Sequence, residues 1–196
     1  MKFLLLSLSF IIFLGSHAQD SFTRCKYFGL ELGPNFSTIL YNSSQVSANS
    51  SISGKIGMTA GINYENVFKP RISIKYGFLL ERKGAVFSTS SFWFASSETV
   101  KLNYFVIPIL FSYNNLAGMY CNLGPYAGAL FLDNLNFKRF DLGAVFGVGV
   151  KFKISKNVLF DIGVKENLGL MNVKTTEPKG YRNNSILLNF SLKFKM

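Results

Sequence analysis

Apolar and polar positions alternate most regularly between residues 140 and 164, across two segments that a short polar turn separates. Every even position from Leu142 to Ile154 is apolar, whereas the odd positions are mostly glycine or charged. Successive side chains of a β-strand point to opposite faces of a sheet. A period of two therefore predicts two long strands, joined at Ser155-Lys156-Asn157, with one face against an apolar medium.

The same period recurs along the rest of the chain and predicts eight strands in all. Long polar segments follow the first, third, fifth and seventh strands, and short turns follow the second, fourth and sixth. This asymmetry is typical of transmembrane barrels, whose periplasmic turns are short and whose external loops are longer. The predicted strands comprise residues 26–36, 54–64, 72–81, 100–113, 119–131, 140–154, 158–170 and 185–196, and the predicted long loops comprise residues 37–53, 82–99, 132–139 and 172–183.

The fourth predicted strand is the least regular, because both of its faces are apolar between residues 105 and 111. We place Phe105, Ile107, Ile109 and Phe111 on its outward face. Proline lacks the amide donor of a strand ladder, so Pro108 predicts a local weak point in a closed sheet.

The first eighteen residues have the charged start, apolar middle and small-residue end of a secretory signal peptide. Their apolar run is about a dozen residues, short of the roughly 20 that a membrane-spanning helix requires, which disfavours an uncleaved anchor. We predict cleavage after Ala18. No cysteine stands at the cleavage point, so we expect an unlipidated chain with one domain over residues 19–196.

Composition favours a membrane barrel over a membrane helix. The mean hydropathy is +0.24, with 21 Phe and 9 Tyr, yet no apolar run after the signal peptide has spanning length. In a transmembrane barrel the lipid-facing residues alternate with interior ones, so hydrophobicity never forms a continuous run. The net charge of +11 is spread along the chain. Such a spread favours contact with outer-membrane lipid and lipopolysaccharide phosphates over nucleic acid.

Alternation alone is compatible with two eight-stranded all-β folds. One is an antiparallel up-and-down transmembrane β-barrel with its apolar face outward. The other is a soluble exported lipocalin-like barrel whose inward apolar face binds a small apolar ligand. The polar face of this chain is rich in glycine rather than in the Lys, Glu and Thr expected of a surface in water. Small side chains suit the narrow interior of an eight-stranded barrel, so we predict the transmembrane barrel, located in the outer membrane.

Charged residues of both signs share the predicted inward face with these glycines. Buried charges persist only when they are paired and hydrogen-bonded, so we predict an interior network that blocks the barrel. A selective ion or solute path is the alternative. The predicted network consists of Glu31, Lys55, Lys75, Glu81, Asp141, Lys151, Asp161 and Lys165.

Two further groups of residues are predicted at the surface. Aromatic residues of the predicted loop 82–99 either form an interfacial girdle or an exposed tip that contacts a protein partner. The candidate contact residues are Phe92, Trp93 and Phe94. The predicted lipid-facing group comprises Phe146, Val148, Phe160, Ile162 and Phe190.

The mature chain offers few groups for catalysis, because the only histidine, His17, lies in the predicted signal peptide. Proton-shuttling triads need an imidazole, and zinc sites need histidine or clustered cysteine. We therefore predict no enzymatic activity, no catalytic or metal-binding residue and no cofactor. Cys25 and Cys121 fall on opposite sides of the predicted ring, so we expect no disulfide between them unless the N-terminal tail crosses the opening.

Several segments occur in order over nearly the whole mature chain: Ala18-Gln19, Gly29-Leu-Glu-Leu-Gly33, Asn103-Tyr104-Phe-Val-Ile-Pro108, Gly124-Pro-Tyr-Ala-Gly128 and Asp141-Leu-Gly-Ala-Val-Phe-Gly-Val-Gly149. Together they resemble the small outer-membrane β-barrel domain family of Gram-negative bacteria, whose members are often identified as porin-family or PorT-like. The resemblance implies an outer-membrane barrel whose individual role is undefined, with some members linked to protein secretion. The chain departs from the family pattern at Val106, where an acidic residue often precedes Ile-Pro, and at its end, Phe194-Lys-Met, where an aromatic residue is usual.

These observations predict an integral outer-membrane barrel without enzymatic activity. The barrel-insertion machinery would place it in the membrane after export. Its external loops would then support envelope integrity, transport or secretion.

Overall fold

The computed structural model describes residues 24–40, 50–90, 94–115, 117–131, 137–173 and 180–196. The predicted signal peptide, Phe92, Trp93 and the central parts of three predicted loops lie outside the described residues. Within the described part of the chain, no helix is long and apolar enough to cross a membrane.

Eight antiparallel strands form a closed ring in which each strand pairs with its neighbours in sequence and the last pairs with the first. This confirms the predicted all-β up-and-down barrel. The strands are β1 (Cys25–Leu40), β2 (Ser50–Lys69), β3 (Ile72–Ser90), β4 (Ala95–Asn114), β5 (Met119–Leu130), β6 (Phe140–Lys153), β7 (Val158–Gly169) and β8 (Arg182–Lys195).

The outer surface of the ring is apolar and its interior is mainly polar and charged. On β6, for example, Phe146 is 55% exposed and Val148 46%, whereas Asp141 is fully buried. Alternation along each strand produces this division, since neighbouring side chains point to opposite faces. The soluble lipocalin-like alternative is therefore wrong, because it requires the apolar face to point inward.

Short turns close one end of the ring, at residues 70–71, 115–118 and 154–157. In the second of these turns Gly118 adopts φ +82°, a conformation that L side chains rarely adopt. The amide of Met119 donates to the side chain of Asn115 at 2.9 Å, which holds the turn closed. Short turns mark the periplasmic end of outer-membrane barrels, so the opposite end is external.

Five strands extend further at the external end than the sequence predicted, namely β1, β2, β3, β4 and β8. The predicted loop 82–99 is largely strand, because β3 and β4 stay paired from Ala85 opposite Val100 to Ser90 opposite Ala95. The backbone ladder is satisfied there whatever the side chains are, which explains why a serine-rich, non-periodic segment still forms strands. Residues 50–54 of β2 join the same extension by pairing with β3.

This extension is a three-stranded external sheet formed by residues 50–54, 85–90 and 95–100. Pairing of β4 with β5 begins only at Tyr104, and pairing of β1 with β2 ends at Lys55. Both outer edges of the external sheet therefore lack a neighbouring strand among the described residues.

An apolar cluster occupies part of the interior, mainly along β4 and at the external end. It explains why both faces of β4 are apolar: odd positions such as Ile107 face outward, whereas even positions such as Val106 pack inside. Ile52 and Phe87 of the external sheet pack against it. The cluster comprises Ile39, Leu79, Ala85, Val100, Leu102, Tyr104, Val106, Leu110, Tyr126, Leu130, Phe137, Val145, Val173 and Tyr181.

Candidate functional site in the barrel interior

The largest group of interior charges lies towards the periplasmic end. Lys193 of β8 donates to Glu65 of β2 at 2.8 Å and to Asp161 of β7 at 2.6 Å. Lys151 of β6 reaches the other oxygen of Glu65 at 2.5 Å, and Lys75 of β3 reaches Asp161 at 3.2 Å. Two carboxylates and three lysines thus connect five strands through the interior.

Neutral side chains complete the hydrogen bonding of this periplasmic group. The hydroxyl of Tyr120 donates to Asp161, and Lys75 lies 4.1 Å from the centroid of the Tyr120 ring. Ser73 donates to Glu65 at 2.5 Å. A cation near an aromatic face and a fully hydrogen-bonded carboxylate both reduce the unfavourable free energy of burying charge.

A second ion pair lies in the middle of the barrel, between β1 and β7. Lys165 donates to one carboxylate oxygen of Glu31, and Asn63 donates to the other at 3.1 Å. Asn63 also donates to Ser191 at 2.9 Å. β2 contributes Asn63 and β8 contributes Ser191, so side chains from four strands meet around this one ion pair.

The third group lies nearer the external end. Lys83 contacts Glu81 at 3.3 Å and Asp141 at 3.4 Å. Tyr126 donates to Asp141 at 3.1 Å, and the amide of Asn167 donates to both oxygens of Glu81, at 2.9 and 3.1 Å. Here the carboxylates outnumber the lysines, which complements the excess of lysine at the periplasmic end.

The interior charges of the three groups balance. Five carboxylates face five lysines, so the three groups together carry no net charge although the whole chain is strongly basic. A cavity of about 10 Å³ beside Glu31, Lys75 and Lys165 has room for about one water molecule. The charged members are Glu31, Glu65, Glu81, Asp141 and Asp161 with Lys75, Lys83, Lys151, Lys165 and Lys193.

Most residues of the predicted interior network meet in these groups, with one exception. Lys55 makes no hydrogen bond to a described residue, and the charges acting on it are the cations Lys101 and Arg82. Lys55 keeps the predicted inward register, because it pairs with the buried Ser37 of β1, but it forms no ion pair with a carboxylate of the three groups. The members placed as predicted are Glu31, Lys75, Glu81, Asp141, Lys151, Asp161 and Lys165.

Sequence analysis missed three charged members. Glu65 and Lys83 lie just beyond the predicted ends of their strands, at residues 64 and 81, but continue the inward alternation. Lys193 was on the predicted inward face of the last strand. Extending the two strands until the alternation broke would have included Glu65 and Lys83.

The outer face carries the residues predicted to meet lipid. Phe146 and Val148 are exposed, and Phe160, Ile162 and Phe190 are half-buried among their outward neighbours. Ile162 pairs with Phe190 across β7 and β8, and Phe152 with Phe160 across β6 and β7. At the external tip, Phe94 is 81% exposed, while Phe92 and Trp93 lie outside the described residues.

The described residues contain no group of three or more His, Cys, Asp or Glu side chains arranged to hold a metal ion. No disulfide joins Cys25 of β1 to Cys121 of β5.

A closed eight-stranded ring with an apolar exterior, a charged interior and short turns at one end defines a transmembrane β-barrel protein of the outer membrane. The family comparison agrees. The chain belongs to the outer membrane protein beta-barrel domain family, whose model matches residues 17–175. β8 lies beyond the matched residues and completes the ring by pairing with β1 and β7.

Solved structures share this fold. Outer membrane protein AlkL in lipid bilayers is 12% identical, with a TM-score of 0.57 over 93% of this chain and 96% of that one. Outer membrane protein OprG from Pseudomonas aeruginosa is 10% identical, with a TM-score of 0.53 over 87% of this chain and 97% of that one. At these identities the likeness concerns the fold alone. Comparison with curated proteins finds no match.

Proposed function

We propose that this protein is a closed, non-enzymatic outer-membrane barrel that acts through its external surface. Its role would lie in envelope integrity or in support of secretion rather than in the passage of solutes through the barrel. The observation that carries the proposal is the set of ion pairs that cross the interior between opposite strands.

Two of these ion pairs span the full width of the ring. Lys75 and Asp161 lie on β3 and β7, and Glu65 and Lys151 lie on β2 and β6, so each pair joins strands on opposite sides of an eight-stranded ring. Opening a path along the axis would separate buried partners. Separating one such pair is unfavourable by roughly 3–5 kcal/mol, since it leaves an uncompensated buried charge.

The packing of side chains at the external end also supports a closed barrel. Segments between strands contribute Phe137, Val173 and Tyr181 to the apolar cluster. Their backbones are linked, since the amide of Lys138 donates to the carbonyl of Val173 at 2.7 Å and the amide of Val173 donates to that of Tyr181 at 2.8 Å. A solute entering from outside would meet this apolar packing before it reached the charged groups.

The external sheet is the feature best suited to contact a partner. It projects past the point where β5 ends, and its two outer edges lack a neighbouring strand among the described residues. An exposed strand edge offers unpaired amides and carbonyls to an extended segment of another protein. The prediction of function through the external loops is therefore narrowed to this sheet and its tip near Phe94.

Support for a non-enzymatic role comes from the sequence, whose only histidine, His17, lies in the predicted signal peptide. Support for a role in secretion comes from the resemblance to PorT-like barrels. Envelope integrity and secretion support both require the barrel to be stable in the membrane and its external surface to be intact.

The experiment combines a shortened chain with two measurements. Since Ala85 pairs with Val100, residues 86–99 can be replaced by an Asn-Gly turn that closes the hairpin at the barrel rim. A control chain carries an Asn-Gly turn at periplasmic residues 155–157. In a strain that lacks the protein, we expect the wild type and the control to restore resistance to bile salts or secretion, and the shortened chain to fail although it assembles.

Restoration by the shortened chain would contradict a role for the external sheet. Efflux from liposomes tests the closed barrel separately, and we expect reconstituted protein to release small solutes no faster than empty vesicles. Faster release would instead favour transport through the interior.

A further inference from the structure

One carboxylate points outward from the barrel, towards the lipid. Glu166 of β7 is exposed and continues the outward series of that strand. It pairs with Phe146 of β6 and Ile186 of β8, and both are exposed apolar residues of the outer face. Glu166 is therefore a polar exception on its strand, whose other outward residues are Val158, Phe160, Ile162, Val164 and Leu168.

Glu166 lies within the apolar band of the outer face rather than at its rim. Beyond it towards the external end, Leu168 and Leu170 are exposed, as is Leu142 on the neighbouring β6. Towards the periplasm, Val164 is exposed as well. A carboxylate among hydrocarbon chains is unfavourable, and an ionisable residue at such a depth usually contacts another polar group. We therefore searched for the group that Glu166 contacts.

The described part of the chain supplies only one hydrogen bond to this carboxylate. The side-chain amide of Asn184 on β8 donates to Oε1 of Glu166 at 3.3 Å. The other oxygen, Oε2, accepts from no described residue. No described cation pairs with Glu166, whereas each of the five interior carboxylates contacts a lysine. Half of the carboxylate is thus available to a partner at the same depth.

A second copy of this chain offers a group at that depth. Two copies inserted in the same orientation are related by a two-fold axis along the membrane normal, so each residue faces its counterpart at equal depth. Glu166 of one copy would then meet Glu166 of the other. Two carboxyl groups at one site cannot both be charged and share a proton instead, while Asn184 holds the second oxygen of each. Within the apolar band, no described residue of the outer face carries a cation that could pair with Glu166 in another arrangement.

We infer that the outer face of β7 and β8 is a contact surface between two copies of this chain, in which the two Glu166 side chains share a proton. Apolar side chains alone do not bring the copies together, because lipid tails are equally apolar. A hydrogen bond that lies away from water does favour association within a membrane. The inference concerns the membrane face and not the external sheet, so it stands or falls separately from the proposed function.

The test is cross-linking of the mature chain, folded into vesicles with a large excess of lipid. Cys25 and Cys121 are replaced by serine, and Leu168→Cys introduces a single thiol next to Glu166 on the outward face of β7. Ile107→Cys on β4 is the matched control, because Leu168 is 40% exposed and Ile107 is 41% exposed on the far side of the ring. A membrane-permeable bismaleimide should join two copies at Leu168→Cys, and should join the control only at the level of random collision.

Two further variants, made in the Leu168→Cys chain, identify the interaction. Glu166→Leu removes the shared hydrogen bond and should weaken dimerisation about tenfold. Glu166→Gln retains a side chain that both donates and accepts, so it should dimerise nearly as well as the original residue. Heat-dependent migration on a gel verifies that each chain is folded. Equal cross-linking at Leu168→Cys and Ile107→Cys would overturn the inference, as would undiminished cross-linking in Glu166→Leu.

Discussion

Lys75 and Asp161 lie on opposite sides of the barrel, on β3 and β7, and their side chains meet across the interior at 3.2 Å. Both side chains are almost fully buried. Asp161 also accepts hydrogen bonds from Lys193 and Tyr120, so it joins three other strands at one point. The interior of this barrel is therefore held by contacts across the ring as well as by the ladders around it.

Replacing Asp161 should destabilise the barrel strongly. Asp161→Ala leaves Lys75 and Lys193 without one shared partner, and loss of one member of a buried pair reduces the free energy of unfolding by about 3–5 kcal/mol. Urea unfolding of the folded chain in lipid vesicles, followed by tryptophan fluorescence, measures this change. The control Lys153→Ala alters an exposed lysine and should change stability by less than about 0.5 kcal/mol. Equal effects of the two substitutions would show that Asp161 is not a structural partner.

The pair Glu31–Lys165 allows a cleaner measurement, because Lys165 forms no ion pair with another described residue. Glu31→Gln and Lys165→Met each leave the other charge buried, so each should be destabilising by about 3–5 kcal/mol. The double variant removes both charges and should be much less destabilised than the sum of the single effects. A coupling energy near zero in this double-mutant cycle would contradict a direct interaction.

The architecture was predictable because its cause is local. Alternation between apolar and polar positions is a property of neighbouring residues, and a closed ring with lipid outside and charges inside satisfies it on every strand. The same alternation placed Asp141, Lys151 and Asp161 inside before any contact between them was known. Their exact partners were not predictable, because a pair such as Lys75 and Asp161 depends on which strands stand opposite each other in the closed ring.

The errors come from places where local periodicity fails. The extension of β3 and β4 depends on backbone pairing beyond the rim, which leaves no apolar pattern in the sequence. The register shift between β2 and β3, between Gly54 and Thr59, is not visible in the alternation of the residues around it. On β4 the sequence could not show which positions face inward, because the interior there is apolar too. Val106 lies inside and Ile107 outside, and both are hydrophobic.

Glycine at position 163 should be needed to accommodate Tyr120. A Cβ at Gly163 would collide with the Tyr120 hydroxyl and would also lie 2.8 Å from the carbonyl oxygen of Val148. Gly163→Ala should therefore slow or prevent folding into lipid vesicles, measured as the fraction of heat-modifiable protein on a gel. At Gly128 the nearest atoms to an added Cβ are 3.5 Å away, so Gly128→Ala is the matched control and should fold normally.

Removing the hydroxyl of Tyr120 distinguishes the two contacts that a Cβ at position 163 would make, one with Tyr120 and one with the carbonyl oxygen of Val148. Tyr120→Phe deletes the colliding atom, so the double variant Tyr120→Phe/Gly163→Ala should recover part of the folded fraction that Gly163→Ala loses. If the double variant folds no better than Gly163→Ala alone, the close approach of backbone in β6 and β7, rather than Tyr120, accounts for the glycine.

Charge on the outer face should be penalised according to its depth in the membrane. Val148 lies in the middle of β6 and is 46% exposed, whereas Ile154 follows the end of β6 beside the periplasmic turn. Val148→Arg should reduce the free energy of folding into vesicles by about 2–4 kcal/mol, and Ile154→Arg by about 0–1 kcal/mol, because the penalty falls towards the interface. Both variants introduce the same side chain, arginine, so the comparison isolates the effect of depth in the membrane. Equal penalties at the two positions would contradict the orientation of β6, with its even positions facing lipid and its turn facing the periplasm.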